Sequence, residues 1–309
     1  MKNSSIRQEH SPGSAILPVI VAISAAHFLN DLMQSMLPAI YPLLRNQYHL
    51  SFLQIGLITA VYQITGSFLQ PFIGLYTDKR PLPYSLPYSS FFTMLGLLIL
   101  AFSPSYLMSL LGASIVGLGS SIFHPEGSRV ARLAAGKRCG FAQSIFQLGG
   151  NAGTALGPLV AALIIMQQSR ISWLTPFCFA GIILLYHLSK WYATLLKSAD
   201  AKPAASVAYN LNPNQVTGAF AVLIGLMFAK YIYLACMQNY YTFYMIEKFH
   251  VNPSQAQFFL FIFLLGMALG TIAGGPLADR IGTRAVIWLS ILGIFPFTSI
   301  LPFAGFYST

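Results

Sequence analysis

Nine separate stretches of this chain are each long and apolar enough to cross a bilayer, and they constrain every other reading of it. They lie at roughly 15–44, 52–76, 86–103, 105–128, 140–166, 172–195, 217–245, 254–277 and 285–303, judged against the ~20 mostly apolar residues that a spanning helix needs. Apolar and polar positions do not alternate within them, as they would in barrel strands. Charge is scarce to match. Asp, Glu, Lys and Arg make up 8% of the 309 residues, about a third of the ~25% usual in soluble domains. So little charge cannot cover a soluble globule of this size, which excludes a cytosolic enzyme. Low-complexity disorder is excluded by the dominance of apolar residues. The fold class expected is an all-α polytopic membrane protein. The first run is too long for the apolar core of a signal peptide and carries His27 and Asp31 within it. Cys139, Cys178 and Cys236 show no metal or redox spacing and read as small apolar residues.

The basic residues give an orientation. With the N-terminus inside, thirteen of the 17 Lys and Arg fall in cytoplasmic segments, while Arg45, Arg170 and Lys248 face the other side and Lys230 sits within the seventh run. Cytoplasmic loops of membrane proteins carry such an excess, so the net charge of +10 is a topological signal. A nucleic-acid surface would need that charge clustered on a folded soluble face, and no nucleic-acid partner is expected. Residues 197–216, with Lys, Pro, Asn and Ala and little periodicity, read as a linker. The expected domains are therefore an N-terminal six-helix half (1–196), a cytoplasmic linker (197–216) and a partial C-terminal half (217–309) holding helices seven to nine.

A repeat joins the two halves. The second span ends Gly74-Leu-Tyr-Thr-Asp78-Lys79-Arg80, and the eighth ends Gly275-Pro-Leu-Ala-Asp279-Arg280-Ile-Gly282-Thr-Arg284. Internal repeats of this kind mark secondary transporters whose halves rock about a midplane site. On these residues the sequence resembles the major facilitator superfamily, whose cytoplasmic loop motif is Gly-x-x-x-Asp-Arg/Lys-x-Gly-x-Arg/Lys. The second copy fits well, and the first departs from the pattern at Pro81 and Leu82. Within the superfamily, Phe123-His124-Pro125-Glu126-Gly127-Ser128-Arg129-Val130-Ala131-Arg132, Gln143-Ser144-Ile145-Phe146-Gln147, Gly149-Gly150-Asn151, Lys230-Tyr231, Tyr240-Tyr241-Thr242-Phe243-Tyr244 and Gly274-Gly275-Pro276 look like the bacterial fosmidomycin-resistance efflux transporters.

The resemblance implies a proton-driven antiporter of a small drug, a fosmidomycin-like phosphonate, working by alternating access. It implies a monomer in the bacterial inner membrane with no cofactor and no metal, using the proton gradient as its energy source. Its partners would be the substrate, protons and the bilayer. Against a two-by-six repeat, nine spans are six plus three, so a chain truncated at its C-terminus is expected. The alternatives are a transporter of another small organic anion and a non-transporting remnant. An intramembrane enzyme would need a nucleophile–base or multi-ligand metal constellation, and the sequence presents none.

The intramembrane polar residues carry the candidate chemistry, since ionisable groups in a span are costly unless they face a cavity or the protein interior. His27, Asn30, Asp31 and Gln34 recur at helical spacing on one face of the first span. A carboxyl out of water favours its neutral form and imidazole titrates near neutrality, so Asp31 and its neighbour His27 form a candidate proton site. A buried polar seam is the alternative. In the fourth span, Glu126 and Arg129 stand at i and i+3, where they either pair structurally or take part in coupling. Glu126 joins the proton-coupling candidates. His124 and Glu126 lack a third ligand for a metal site.

Lys230, at the head of a stripe through Tyr233, Met237, Tyr240 and Tyr244, either offsets Asp31 across a cavity or binds an anionic substrate. The fifth span shows Gln143, Gln147, Asn151 and Thr154 on one face, then Gly153-x-x-x-Gly157-Pro158, which packs closely or serves as a hinge. The substrate-binding candidates are Lys230, Arg129, His124, Asn30, Gln147 and Asn151. For Asp78, Asp279, Arg280 and Arg284 the resemblance implies a conformational latch, with the start of helix five opposite Asp279 and a helix eleven opposite Asp78; solvated loop charges are the alternative.

Overall fold

The computed structural model describes residues 15–136, 138–164, 167–197, 213–303 and 305. Among these residues the nine apolar runs become nine helical rods. The first rod is α1 (Leu17–Ala39) followed by α2 (Tyr41–Tyr48). Pro38 inside α1 and Pro42 at the start of α2 explain the break between them, since each removes a backbone donor and crowds the preceding turn. The second rod is α3 (Phe52–Gln63), a π turn (Ile64–Phe68) and α4 (Gln70–Lys79). Its start is fixed by a reciprocal cap: Gln54 N–H donates to Ser51 Oγ over 3.2 Å, and Ser51 N–H donates to Gln54 Oε1 over 2.8 Å.

The remaining rods are α5 (Ser85–Ala101), α6 (Tyr106–Ala134), α7 (Cys139–Ile164), α8 (Thr175–Lys197, entered through a 3-10 turn at Gln168–Leu174), α9 (Pro213–Phe249), α10 (Pro253–Ile281) and α11 (Thr283–Ile300). Six spans combine the length and hydropathy needed to cross a membrane, while the apolar helices Ser85–Ala101 and Arg284–Ile300 are shorter. Gln143, Gln147, Asn151 and several glycines dilute the hydropathy of α7. Leu53, Leu107 and Leu163 are more than 70% exposed, so the outside of the bundle is apolar, as a lipid-facing surface must be.

Buried apolar side chains form one cluster within α1–α8, a second that also takes in Phe243 of α9, and a third that joins Ala155 of α7 to Met237, Tyr241, Leu260 and Leu264 of α9 and α10. The tightest seam is α1 against α7. A Cβ on Gly153 would lie 2.2 Å from the Phe28 carbonyl oxygen, so only glycine lets these backbones meet. The sequence pattern Gly153-x-x-x-Gly157 is thus a packing device inside the first six rods.

Rods seven to nine meet the first six chiefly at one end. There Gln257 Nε2 donates to the Ala39 carbonyl over 2.7 Å, and Thr59 Oγ1 donates to Asn239 Oδ1 over 3.1 Å. Toward the opposite end, most of the side chains at 217–232 of α9, beyond Ala268 in α10 and along α11 are exposed. Residues 198–212, most of the expected linker, lie outside the described residues.

Candidate functional site

Between the two sets of rods lies a polar cavity of about 230 Å³. The first span contributes Asp31 and Gln34, and α6 contributes Ser120 and His124. The π turn and its flanks present Gln63, Ser67 and Gln70, and across from them stand Gln238 and Asn239 of α9. A π turn inserts one surplus residue into a helix and often marks a functional segment. Here it turns an amide and a hydroxyl inward, with Ser67 Oγ donating to Gln63 Oε1 over 2.7 Å. Nearly every wall offers uncharged donors and acceptors. The one carboxylate among the described lining residues is Asp31.

Asp31 is the centre of a cluster. Its Oδ2 lies 3.2 Å from His27 Nε2, one turn earlier on α1, and its Oδ1 lies 3.8 Å from His124 Nε2 on α6. Asn30 Nδ2 donates to Oδ1 over 3.2 Å. His27 is 3% exposed, stacked at 4.0 Å on the Phe146 ring, and donates its Nδ1–H to the Phe146 carbonyl over 2.8 Å. A neighbouring residue makes room for it, because a Cβ on Gly150 would sit 2.5 Å from the imidazole. The ligand-type atoms of His27, Asp31 and His124 all lie within 4.8 Å of one another, close enough to hold a cation. The third group that His124 lacks in the sequence comes from α1, and Glu126 is not part of the set. His27 Nε2 makes no hydrogen bond in this arrangement, although Asp31 Oδ2 stands 3.2 Å away.

A second charged cluster sits at the far end of α6. Arg129 Nη1 donates to Glu126 Oε1 over 2.5 Å and to the Thr77 carbonyl over 2.9 Å, while its Nη2 pairs with Asp78. Glu126 is fully buried, and a buried carboxylate needs such a partner. One guanidinium thus ties the end of α4 to α6, using the planar fork that lysine lacks.

Comparison with known proteins places this architecture. The family model for the Major Facilitator Superfamily matches residues 23–307. The chain belongs to that superfamily. It is 47% identical over 293 residues to the fosmidomycin resistance protein of Escherichia coli (strain K12), covering 94% of this chain and 72% of that protein. It is 43% identical over 299 residues to the uncharacterized MFS-type transporter YfnC of Bacillus subtilis (strain 168), covering 95% and 73%. Crystal structures of a bacterial homolog of the human lysosomal transporter Spinster, inward-facing, share the fold. The unoccupied form gives a TM-score of 0.67 at 15% identity, and the occupied form 0.68 at 16%. They match 87% and 89% of this chain, which spans 63% of theirs, less than two thirds of their length.

Against this superfamily frame, the residues expected from sequence divide. Asp31, His27 and His124 come together, with Asp31 and His124 on the cavity wall and His27 behind them against α7. Asn30 reaches Asp31 with its amide nitrogen but otherwise faces Ser90, Thr93 and Cys178 of α5 and α8. Glu126 and Arg129 stand apart at the Asp78 end, so neither lines the described cavity. Arg129, expected to contact substrate, is occupied by Asp78 and Glu126 instead. Asp78 has its partner within the first six rods, where a helix eleven was expected. Gln147 is exposed and Asn151 half-buried, both off the cavity wall, which Thr154 reaches one turn later.

Lys230 is likewise exposed and absent from the cavity lining. Its stripe does another job: Tyr233, Met237 and Tyr244 pack against α10, while Tyr240 faces Phe52. Arg280 and Arg284 are exposed, and the side chain of Asp279 lies outside the described residues.

Sequence reasoning passed over one pair. Arg45 Nη1 donates to Glu247 Oε1 over 2.5 Å, linking α2 to α9 at the end where the two sets of rods meet. The guanidinium lies 4.0 Å above the Phe52 ring and 5.5 Å from Phe243. A signal existed, since Arg45 follows the first span and Glu247, beside Lys248, follows the seventh on the same side.

Proposed function

We propose that this superfamily member is a proton-coupled secondary transporter that exports a small, fosmidomycin-like phosphonate by alternating access. The carrying observation is the Asp31–His27–His124 cluster on the wall of the cavity between the two sets of rods. The 47% identity to a fosmidomycin resistance protein supports the substrate class. The cavity's amide and hydroxyl donors, with His124, suit the oxygens of a phosphonate. They suit another small organic anion equally, which is the second reading.

The positive-inside bias supports an N-terminus in the cytoplasm and residence in the bacterial inner membrane. In that orientation the Arg45–Glu247 end is external and closed, and the Asp78 end opens inward. Asp31 is the protonatable centre, with His27 sharing its proton and His124 standing between it and the cavity. A proton moves the balance of inward and outward states only through a difference in affinity for the two. The neutralised cluster accordingly favours one state and the charged cluster the other. Arg129, with Asp78 and Glu126, acts as the cytoplasmic latch. The energy source is the proton gradient, and no cofactor takes part. The working unit is a monomer.

The test is drug-triggered proton release from everted vesicles. Release in the wild type and none with Asp31→Asn supports the reading. Unchanged release in Asp31→Asn overturns it.

A further inference from the structure

His27 is turned by a group that has no choice of role. A backbone carbonyl can only accept a hydrogen bond, so the 2.8 Å contact with Phe146 takes the Nδ1–H and leaves Nε2 of the neutral ring with a lone pair. That nitrogen is buried and makes no hydrogen bond. Asp31 Oδ2 stands 3.2 Å away, which is close enough for one, so direction fails and distance does not. A hydrogen bond runs along the line between its two atoms, whereas a metal ion sits off that line and gathers its ligands at roughly tetrahedral angles. The approach of His27 to Asp31 suits the ion.

We infer that His27 Nε2, the Asp31 carboxylate and His124 Nε2 form a site for a divalent transition-metal ion of the zinc class. The three ligand-type atoms lie within 4.8 Å of one another. Two ligands on one zinc stand about 3.3 Å apart when each metal–ligand distance is roughly 2.0–2.2 Å. The 3.2 Å between His27 and Asp31 matches that spacing, and the 3.8 Å from Asp31 Oδ1 to His124 exceeds it by about half an ångström. His124 is 26% exposed on the cavity wall, where a small turn of its ring closes the gap. Outer contacts are in place as well. A metal-ligating histidine usually donates its other N–H to a carbonyl or carboxylate, as His27 does to Phe146, and Asn30 Nδ2 holds the Asp31 carboxylate over 3.2 Å.

Two imidazoles with one carboxylate select zinc, cobalt or nickel over magnesium and calcium, which favour all-oxygen sites. Asp31 and His124 line the cavity, so the ion arrives through it. Three protein donors leave a fourth position for water or another exchangeable ligand, unlike a closed structural site. The site stands on coordination geometry and needs no proton coupling. Its effect on transport rests on the reading above: an ion that engages Asp31 occupies the exchange centre and ties α1 to α6, so it inhibits export and is no cofactor of it.

The decisive measurement is zinc-edge X-ray absorption on the full chain in lipid nanodiscs, purified without a histidine tag and loaded with one equivalent of Zn²⁺. Two imidazoles at about 2.0–2.1 Å with oxygen completing the set are expected, and fewer than two overturn the site. Calorimetric titration with Zn²⁺ is the second arm. His27→Gln and His124→Gln should each weaken binding by about tenfold or more. A variant combining His49→Gln, His187→Gln and His250→Gln, all exposed positions, should bind as the wild type does. Wild-type affinity in both site variants, or loss of binding in the surface variant, overturns the site, as does displacement of Zn²⁺ by excess Mg²⁺. If a site variant fails to fold, absorption on the wild type decides. In everted vesicles, Zn²⁺ should stop drug-triggered proton release, and release that continues with the ion bound overturns its inhibitory role. No release from zinc-free wild type would remove the proton-coupled reading and leave the metal site standing.

Discussion

Arg45 and Glu247 join the two sets of rods through a 2.5 Å ion pair whose guanidinium is laid over Phe52. Both side chains are partly open to solvent, at 30% and 52%, so the pair itself contributes about 0.2–1 kcal/mol. That is enough to bias a two-state carrier and too little to lock it. Arg45→Glu should shift the population toward the state parted at this end by no more than about fivefold. The swapped double variant Arg45→Glu with Glu247→Arg should restore it. Distances between spin labels on α2 and α9 report the outcome, and a swap that leaves the single-variant distribution in place counts against the pairing.

Arg129 should be the most sensitive charge outside the cavity. Arg129→Leu leaves Glu126 buried without its cation, a loss of about 3–5 kcal/mol. Asp78 is 68% exposed, so Asp78→Asn should cost under about 1 kcal/mol. Arg129→Lys should fall between them and impair transport, since one ammonium cannot reproduce the fork. Unfolding in detergent measures all three, and an equal cost for Asp78→Asn and Arg129→Leu would contradict this ranking.

The α1–α7 seam should tolerate no added volume. Gly153→Val drives methyl groups into the Phe28 carbonyl and should destabilise by at least about 1–3 kcal/mol. Gly225→Ala and Gly266→Ala, where nothing lies within 4 Å, should leave the melting temperature unchanged or slightly raised. A melting temperature for Gly153→Val equal to theirs would show that the two helices can separate freely.

Asp31→Glu distinguishes charge from placement. The added methylene pushes the carboxylate off the 3.2 Å contact with His27 while keeping an ionisable group in the cavity. Proton release triggered by drug should fall on the order of tenfold or more, as a displacement of about 1 Å can cost 100-fold where geometry governs. Wild-type release from Asp31→Glu would mean that position within the cluster does not matter.

Much of this was readable from residue order, because helical periodicity ties neighbours to a face. The proximity of His27 to Asp31 follows from i and i+4 spacing, and that of Glu126 to Arg129 from i and i+3. Periodicity does not say which neighbouring helix each face meets. His124 joins Asp31, and Arg129 joins Asp78, through the register of α6 against α1 and α4. The seat of α6 depends on Gly117 against the second rod and on Gly112 and Gly119 against α5, whose partners lie tens of residues away in the chain. Lys230 illustrates the limit most clearly. An ammonium within a span implies a buried partner only if that face is packed, and the α9 face around it is exposed. Gly150 reads as helix packing until the His27 ring is seen against it.

The π turn at Ile64–Phe68 carries a consequence for insertion and deletion. Its surplus residue rotates everything downstream by about 100° relative to a plain α-helix, one residue's share of a 3.6-residue turn. Gln70 and Asp78 both lie downstream of it. Removing one residue from that turn would convert it to regular helix and swing both side chains a quarter-turn or more. Gln70 would then leave the cavity wall as Asp78 left Arg129. One codon's worth of chain thus keeps the binding surface and the latch in phase, and in-frame loss there should be as damaging as loss of either residue.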